Sequence, residues 1–115
     1  MRAWRTLALA AAIGAAASLA ACDRIPHVQD VGGAGPDLAA GRNVFLQAGC
    51  GACHTLRDAG STGTFAPNLD RITPSTVHVR EFVTAGGVGM PAFNGILTTG
   101  EIQAVSEYVH TVAGY

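Results

Sequence analysis

The sequence predicts a small all-α domain closed around a bound group. Three observations carry this expectation. Apolar residues recur at helical spacing in three segments with recognisable end signals, and nowhere alternate with polar ones as along a half-buried strand. The stretch Asp37 to Tyr115 is below the size at which a hydrophobic core usually suffices by itself. The chain has only three cysteines, too few for a disulfide framework, so something else must staple the fold.

Residues 1–21 read as an export signal. Arg2 and Arg5 precede an apolar run, Leu7 to Ala17, that is too short to span a bilayer, and small residues close it at "SLAAC". "LAAC", Leu19 to Cys22, resembles the lipobox at which a cysteine is lipidated; ordinary cleavage after Ala20 is the alternative. Cys22 is otherwise an odd thiol in an exported chain, which favours lipidation as its role. Several acyl chains on one residue would anchor the chain to a membrane where one would not. Residues 22–36, with "DRIPHVQDVGGAGP", carry two prolines, three glycines and no periodicity. They read as a lipid-anchored flexible tether that reaches at most about 50 Å.

The domain occupies residues 37–115. Its first helix is expected from Asp37, a suitable N-cap, to Ala48, with Leu38, Gly41, Phe45 and Leu46 near one face. A glycine inside a helix costs up to about 1 kcal/mol, so close packing against Gly41 would explain it. The second is expected over Pro74 to Ala85, with Thr73 as cap, Pro74 in the first turn, Val79, Phe82 and Val83 sharing a face, and Gly86 as the stop. The third opens on a capping box, Thr98 with Glu101. Ile102, Val105, Val109 and Val112 follow at helical spacing, and Gly114 ends it. Tyr108 lies beside that stripe and could pack over Gly41. The rest is expected to be loop.

Cys50-Gly51-Ala52-Cys53-His54 forms C-x-x-C-H, the attachment motif of c-type haem. Two thiols three residues apart can add to the two vinyl groups of one porphyrin, and the next residue can reach the iron with its imidazole. The small Gly51 and Ala52 would let the chain run close to the haem edge. A thioredoxin-like dithiol wants a βαβ setting, and a structural zinc wants four ligands that do not follow. A plain disulfide would leave His54 idle.

Met90, in "GGVGMPAF", is the single methionine once residues 1–21 are removed. Pro91 restricts it toward extended backbone, and the glycines before it allow a close approach to a flat group. Met90 is thus the candidate sixth ligand of the iron. Of the other candidates, His27 lies in the tether, and His78 and His110 read as surface histidines. Leu69, Ile72, Phe82, Phe93 and Leu97 are candidate pocket residues, Arg71 a candidate partner of a haem propionate, and Asn94 a candidate hydrogen-bonding group near the methionine loop.

With "GRNVFLQAGCGACH", "APNLDRI" and "GGVGMPAFNGILTTGEIQAVSEYV" in this order, the sequence resembles the class I cytochromes c, in particular small bacterial monohaem members. The resemblance covers Asp37 to Tyr115. It implies N- and C-terminal helices crossing near Gly41, Phe45 and Tyr108, with loops wrapped around one covalent haem c and its iron. It implies a distal methionine in a G-M-P context, matched by Met90. It also implies a proline, matched by Pro67, whose carbonyl accepts a hydrogen bond from His54.

The expected function is one-electron transfer between redox partner proteins at the periplasmic face of a bacterial membrane, with a soluble periplasmic form as the alternative. A haem sensor or peroxidase-like protein with a labile Met90 remains open, as does a fixed subunit of a dehydrogenase or oxidase. After removal of the signal, five arginines and no lysine face eight acids, about −3 in net charge. No basic run suggests nucleic acid, and no small-molecule substrate is expected.

Overall fold

The computed structural model describes residues 35–115. The signal reading of 1–21, the lipidation of Cys22, His27 and most of the tether lie outside the described residues. The described chain forms α1 (Leu38–Gln47), a 3-10 turn (Cys50–Ala52), a two-stranded hairpin of β1 (Thr55–Leu56) and β2 (Ser61–Thr62), α2 (Leu69–Ile72), α3 (Thr76–Ala85) and α4 (Thr99–Val112).

Helix α1 starts where its cap predicts. The Asp37 carboxylate accepts the Ala40 backbone N–H at 2.9 Å, satisfying a donor the helix itself cannot. The expectation for its buried face holds for Gly41 and Phe45 and fails for Leu46, which is 46% exposed. Leu46 follows Phe45 by one residue, about 100° around the helix, and so turns away from the core.

Helix α4 also begins on its predicted signal. The Thr98 hydroxyl accepts the Glu101 N–H, and the Glu101 carboxylate accepts the Thr98 N–H at 2.7 Å. Those bonds from the Thr98 backbone and hydroxyl hold the Glu101 carboxyl below its usual range. Ile102, Val105, Tyr108 and Val109 are buried along one side of α4.

Helices α1 and α4 form the main packing contact of the domain. Gly41 is their point of closest approach: a Cβ there would stand 2.3 Å from the Ala104 carbonyl oxygen and 2.4 Å from the Tyr108 Cβ. No other residue fits without moving backbone. The Phe45 and Tyr108 rings meet edge to face, centroids 6.1 Å apart, and both are 1% exposed. The Tyr108 hydroxyl donates to Asp58 at 2.5 Å, so the one polar atom of this pair is satisfied.

The second predicted helix starts two residues late. Thr73, expected as its cap, instead ends α2 in the left-handed region at φ 41. Ser75 caps α3, its hydroxyl accepting the His78 N–H at 3.2 Å. Pro74 is buried between the two helices, and its carbonyl meets Nδ1 of His110 at 3.0 Å. Val79 and Val83 are buried as expected. Phe82 turns from that face and stays 42% exposed.

The hairpin and α2 replace expected loop. Strands of two residues, paired Thr55 with Thr62 and Leu56 with Ser61, are too short to carry an alternation. Helix α2 is a single turn capped by Asn68, whose side chain accepts the Arg71 N–H at 3.2 Å.

Candidate functional site

The turn that carries the cysteines is set by Gly49, left-handed at φ 76, which reverses the chain after α1. The backbone N–H groups of Cys53 and His54 then both donate to the Cys50 carbonyl, at 3.2 and 3.0 Å, and hold the three side chains in one tight turn. Cys50 and Cys53 are not joined to each other by a disulfide. Burial pushes the Cys50 thiol above its ordinary value, and the neighbouring Cys53 raises it further.

His54 is half-buried and fixed from two sides. Its Nδ1–H donates to the Pro67 carbonyl at 2.8 Å, which leaves Nε2 as the nitrogen free to bind a metal. Its own carbonyl accepts from the Ser61 hydroxyl at 3.0 Å, and that same hydroxyl oxygen accepts the Leu56 N–H at 2.9 Å. Ser61 is a supporting residue that the sequence analysis did not single out. It also gives a further reason for Gly51, whose missing side chain makes room for the Ser61 Cβ, 2.7 Å from where a Cβ of its own would stand.

Met90 stands on a loop that α3 holds by its end. The Gly86 N–H donates to the Phe82 carbonyl, and Phe93 returns its N–H to Val83 at 2.9 Å. Gly87 and Met90 exchange backbone hydrogen bonds of 3.0 and 3.2 Å. Gly86 has φ 73, and a side chain there would meet the Met90 carbonyl at 2.8 Å. The Phe82 ring lies directly against Gly87, where a Cβ would be 2.8 Å from it. The methionine is thus carried by a short braced loop.

These pieces surround one cavity of about 440 Å³, within the range of cofactor sites. Cys50, Cys53 and His54 line it together with Met90. So do Pro67, Leu69, Ile72, Phe82 and Phe93, as expected, joined by Val105 and Val109 of α4. Leu97 does not; it packs against the core instead. Arg71 lies in a separate open depression of about 560 Å³ with Arg57 and Asp70, which holds none of the cysteine, histidine or methionine groups. Asn94 is exposed, its backbone N–H 3.4 Å from the Thr84 carbonyl. His78, read from the sequence as a surface histidine, is exposed yet also lines the cavity. Its only sequence signal was Phe82 four residues on, one turn along the same face.

A family model described as cytochrome c oxidase, cbb3-type, subunit III matches residues 30–109. The chain belongs to this cytochrome c family. The cytochrome is 38% identical over 85 residues to the cbb3-type cytochrome c oxidase subunit FixP of Bradyrhizobium sp. (strain ORS 278), and 35% identical to that of Bradyrhizobium diazoefficiens. Each alignment covers 70% of this chain and 29% of the relative, so the cytochrome spans less than a third of their length. The crystal structure of the c-type cytochrome SorU from Sinorhizobium meliloti matches it with a TM-score of 0.64 at 50% identity, over 67% of this chain and 91% of SorU.

The molecule is thus a small monohaem class I cytochrome c, and its cofactor is haem c, covalently bound with its iron. The residues present fit that group. The cavity wall is almost wholly apolar, as a porphyrin face requires, and the C-x-x-C-H turn offers two thiols and one imidazole at its edge. Among the described residues no three His, Cys, Asp or Glu side chains are grouped to hold a bare metal ion, so the donor set does not suit structural zinc.

Proposed function

We propose that the cytochrome is a one-electron carrier in which Cys50 and Cys53 form the thioether links, His54 is the proximal ligand and Met90 the distal one. Haem c supplies a couple that gains or loses one electron with little change of shape. The observation that carries the reading is that His54, with Nε2 free, and Met90 line the same apolar cavity as the two thiols. With both residues bound to it, the iron would have no position left for a substrate. His/Met coordination also raises the potential relative to two histidines.

The chain's own residues do three things in this scheme. Pro67 fixes the tautomer of His54 and makes it a stronger donor. Leu69, Val105 and Phe93 keep water from the site, so that little solvent rearranges when the charge changes. Phe65 and Val88, 79% and 110% exposed, border the cavity and offer an apolar rim to redox partner proteins. With no lysine in the chain, docking relies on brief apolar contact, and the electron-transfer rate should fall little with added salt.

In the same reading residues 1–21 are an export signal, Cys22 is lipidated, and 22–36 tether the domain at the periplasmic face of a bacterial membrane. Replacing Cys22 by Ser should move the protein from the membrane to the soluble fraction; retention in the membrane would sink the anchor. A second reading makes the domain a fixed subunit. It is favoured by the two oxidase-subunit relatives, and a stable copurifying complex would decide for it.

The deciding experiment is an absorption spectrum of the holoprotein, ferric and ferrous, then under carbon monoxide. A sulfur-to-iron charge-transfer band and indifference to carbon monoxide are expected. Carbon monoxide binding would overturn the carrier in favour of a sensor or peroxidase-like protein.

A further inference from the structure

Haem carries two carboxylates, and a cavity that accepts it must leave them in water or give them a partner. The wall offers very little. Apart from Cys50, Cys53, His54 and Met90, every residue that lines it is apolar except one, His78. The cysteines hold the vinyl edge, and the propionates lie on the opposite edge of a porphyrin. Helix α3, which carries His78, packs on α4, whereas the cysteine turn packs on α1 and β2.

The His78 ring is oriented and uncommitted. It rests on the Phe82 ring, centroids 4.7 Å apart and planes at 49°, and Phe82 in turn lies against Gly87. Among the described residues its ring nitrogens have no hydrogen-bond partner, while Nδ1 of His110 is occupied by the Pro74 carbonyl. Arg71, the cation first considered for this role, is in the other depression.

We propose that His78 is the residue that receives a haem propionate, and that its proton couples to the redox state. This rests on the haem assignment. Histidine is the side chain that titrates between pH 5 and 8, and a facing carboxylate favours its charged form. The ferrous site carries one positive charge fewer than the ferric, so His78 binds its proton more tightly there. Each electron taken from a donor is then accompanied by a fraction of a proton taken from solvent onto His78. The midpoint potential therefore falls as pH rises through the titration of His78.

Other ionisable groups stand near α3, and none of them lines the cavity. On α3 itself Arg80 bonds to Gln103 of α4 at 3.2 Å, and Glu81 is exposed. Helix α4 adds Glu101, Glu107, Tyr108 and His110, and α2 adds Asp70 and Arg71. The loop from Gly86 to Leu97 has no ionisable side chain.

The test is the midpoint potential of the holoprotein, by spectroelectrochemistry from pH 5 to 8.5, for wild type, His78→Gln and His110→Gln. A proton held about tenfold tighter in the ferrous state gives a fall of about 59 mV across the range. Wild type and His110→Gln should both show the fall, and His78→Gln should be flat, near the wild-type value at high pH. A flat wild-type profile, or an unchanged fall in His78→Gln, overturns the proposal; the latter would assign the proton to the propionate itself. The charge-transfer band, followed in the same samples, reports on Met90 ligation separately. Loss of the band with the His78-dependent fall intact would sink the ligand reading and support His78.

Discussion

Nδ1 of His54 stands 2.8 Å from the carbonyl oxygen of Pro67, thirteen residues along the chain. The carbonyl comes from the loop before α2 and the imidazole from the cysteine turn, so this bond closes the site across two segments. It also tunes the imidazole, because a ring that donates from Nδ1 is a stronger donor at Nε2.

Replacing Pro67 by Ala keeps the carbonyl but frees the loop that aims it. The His54 bond should lengthen, donation to ferric iron should weaken, and the midpoint potential should rise, by at most about the 59 mV of a tenfold change in a one-electron couple. A lower potential in Pro67→Ala would show that the bond does not act on the imidazole in this way.

Met90→Ala removes the thioether while leaving the Gly87 and Met90 backbone bonds in place. The variant should lose the sulfur-to-iron band, bind carbon monoxide in the ferrous state and fall in potential by more than about 59 mV. An unchanged spectrum would mean that another residue holds the sixth position.

Gly41→Ala sets helix propensity against packing. The alanine is worth up to about 1 kcal/mol within α1. Its Cβ, however, meets the Ala104 carbonyl and the Tyr108 Cβ, neither of which can rotate away. Overpacking of this kind costs about 1–3 kcal/mol or more, so the clash wins. Urea unfolding of the holoprotein should show a net loss of stability; a gain would mean that α1 and α4 can separate freely.

Tyr108→Phe removes the hydroxyl that donates to Asp58. A hydrogen bond to a charged group is worth about 1.5–3 kcal/mol, and the low end is expected here because the Asp58 side chain is 47% exposed. Burial, with the Asp58 carboxylate beside it, raises the tyrosine's ionisation well above its ordinary value. A raised folded value means that the stabilisation is fully present below about pH 10, where the unfolded tyrosine titrates, and is lost as pH rises toward the folded value. Stability measured between pH 8 and 11 should therefore decline at the alkaline end in wild type and less steeply in Tyr108→Phe. Equal slopes would exclude Tyr108 as the source.

Much of the site was legible because its chemistry is local. Cys50, Cys53 and His54 are marked by their spacing along one turn, and Met90 by its neighbours Gly89 and Pro91. Pro67 followed from the family resemblance, Leu69 and Phe93 from the reading of candidate pocket residues, and all three line the cavity. Leu97 and Arg71 lie outside the cavity although they sit close in sequence to residues that line it. Which way each points depends on the pitch of α2 and on the return of the Met90 loop to α3, and neither leaves a periodic trace.

The sequence by itself determined where α1 and α4 begin, since Asp37 and the Thr98–Glu101 box satisfy donors within one turn of themselves. It also determined the attachment turn and the pairing of Gly41 with Tyr108, for a glycine in a helix is tolerated where another backbone comes close. Only the tertiary structure decided that Thr73 would end one helix rather than open the next, that Ser61 would brace His54, and that His78 would look into the cavity. Those outcomes depend on contacts between segments distant along the chain, where close packing overrides local preference.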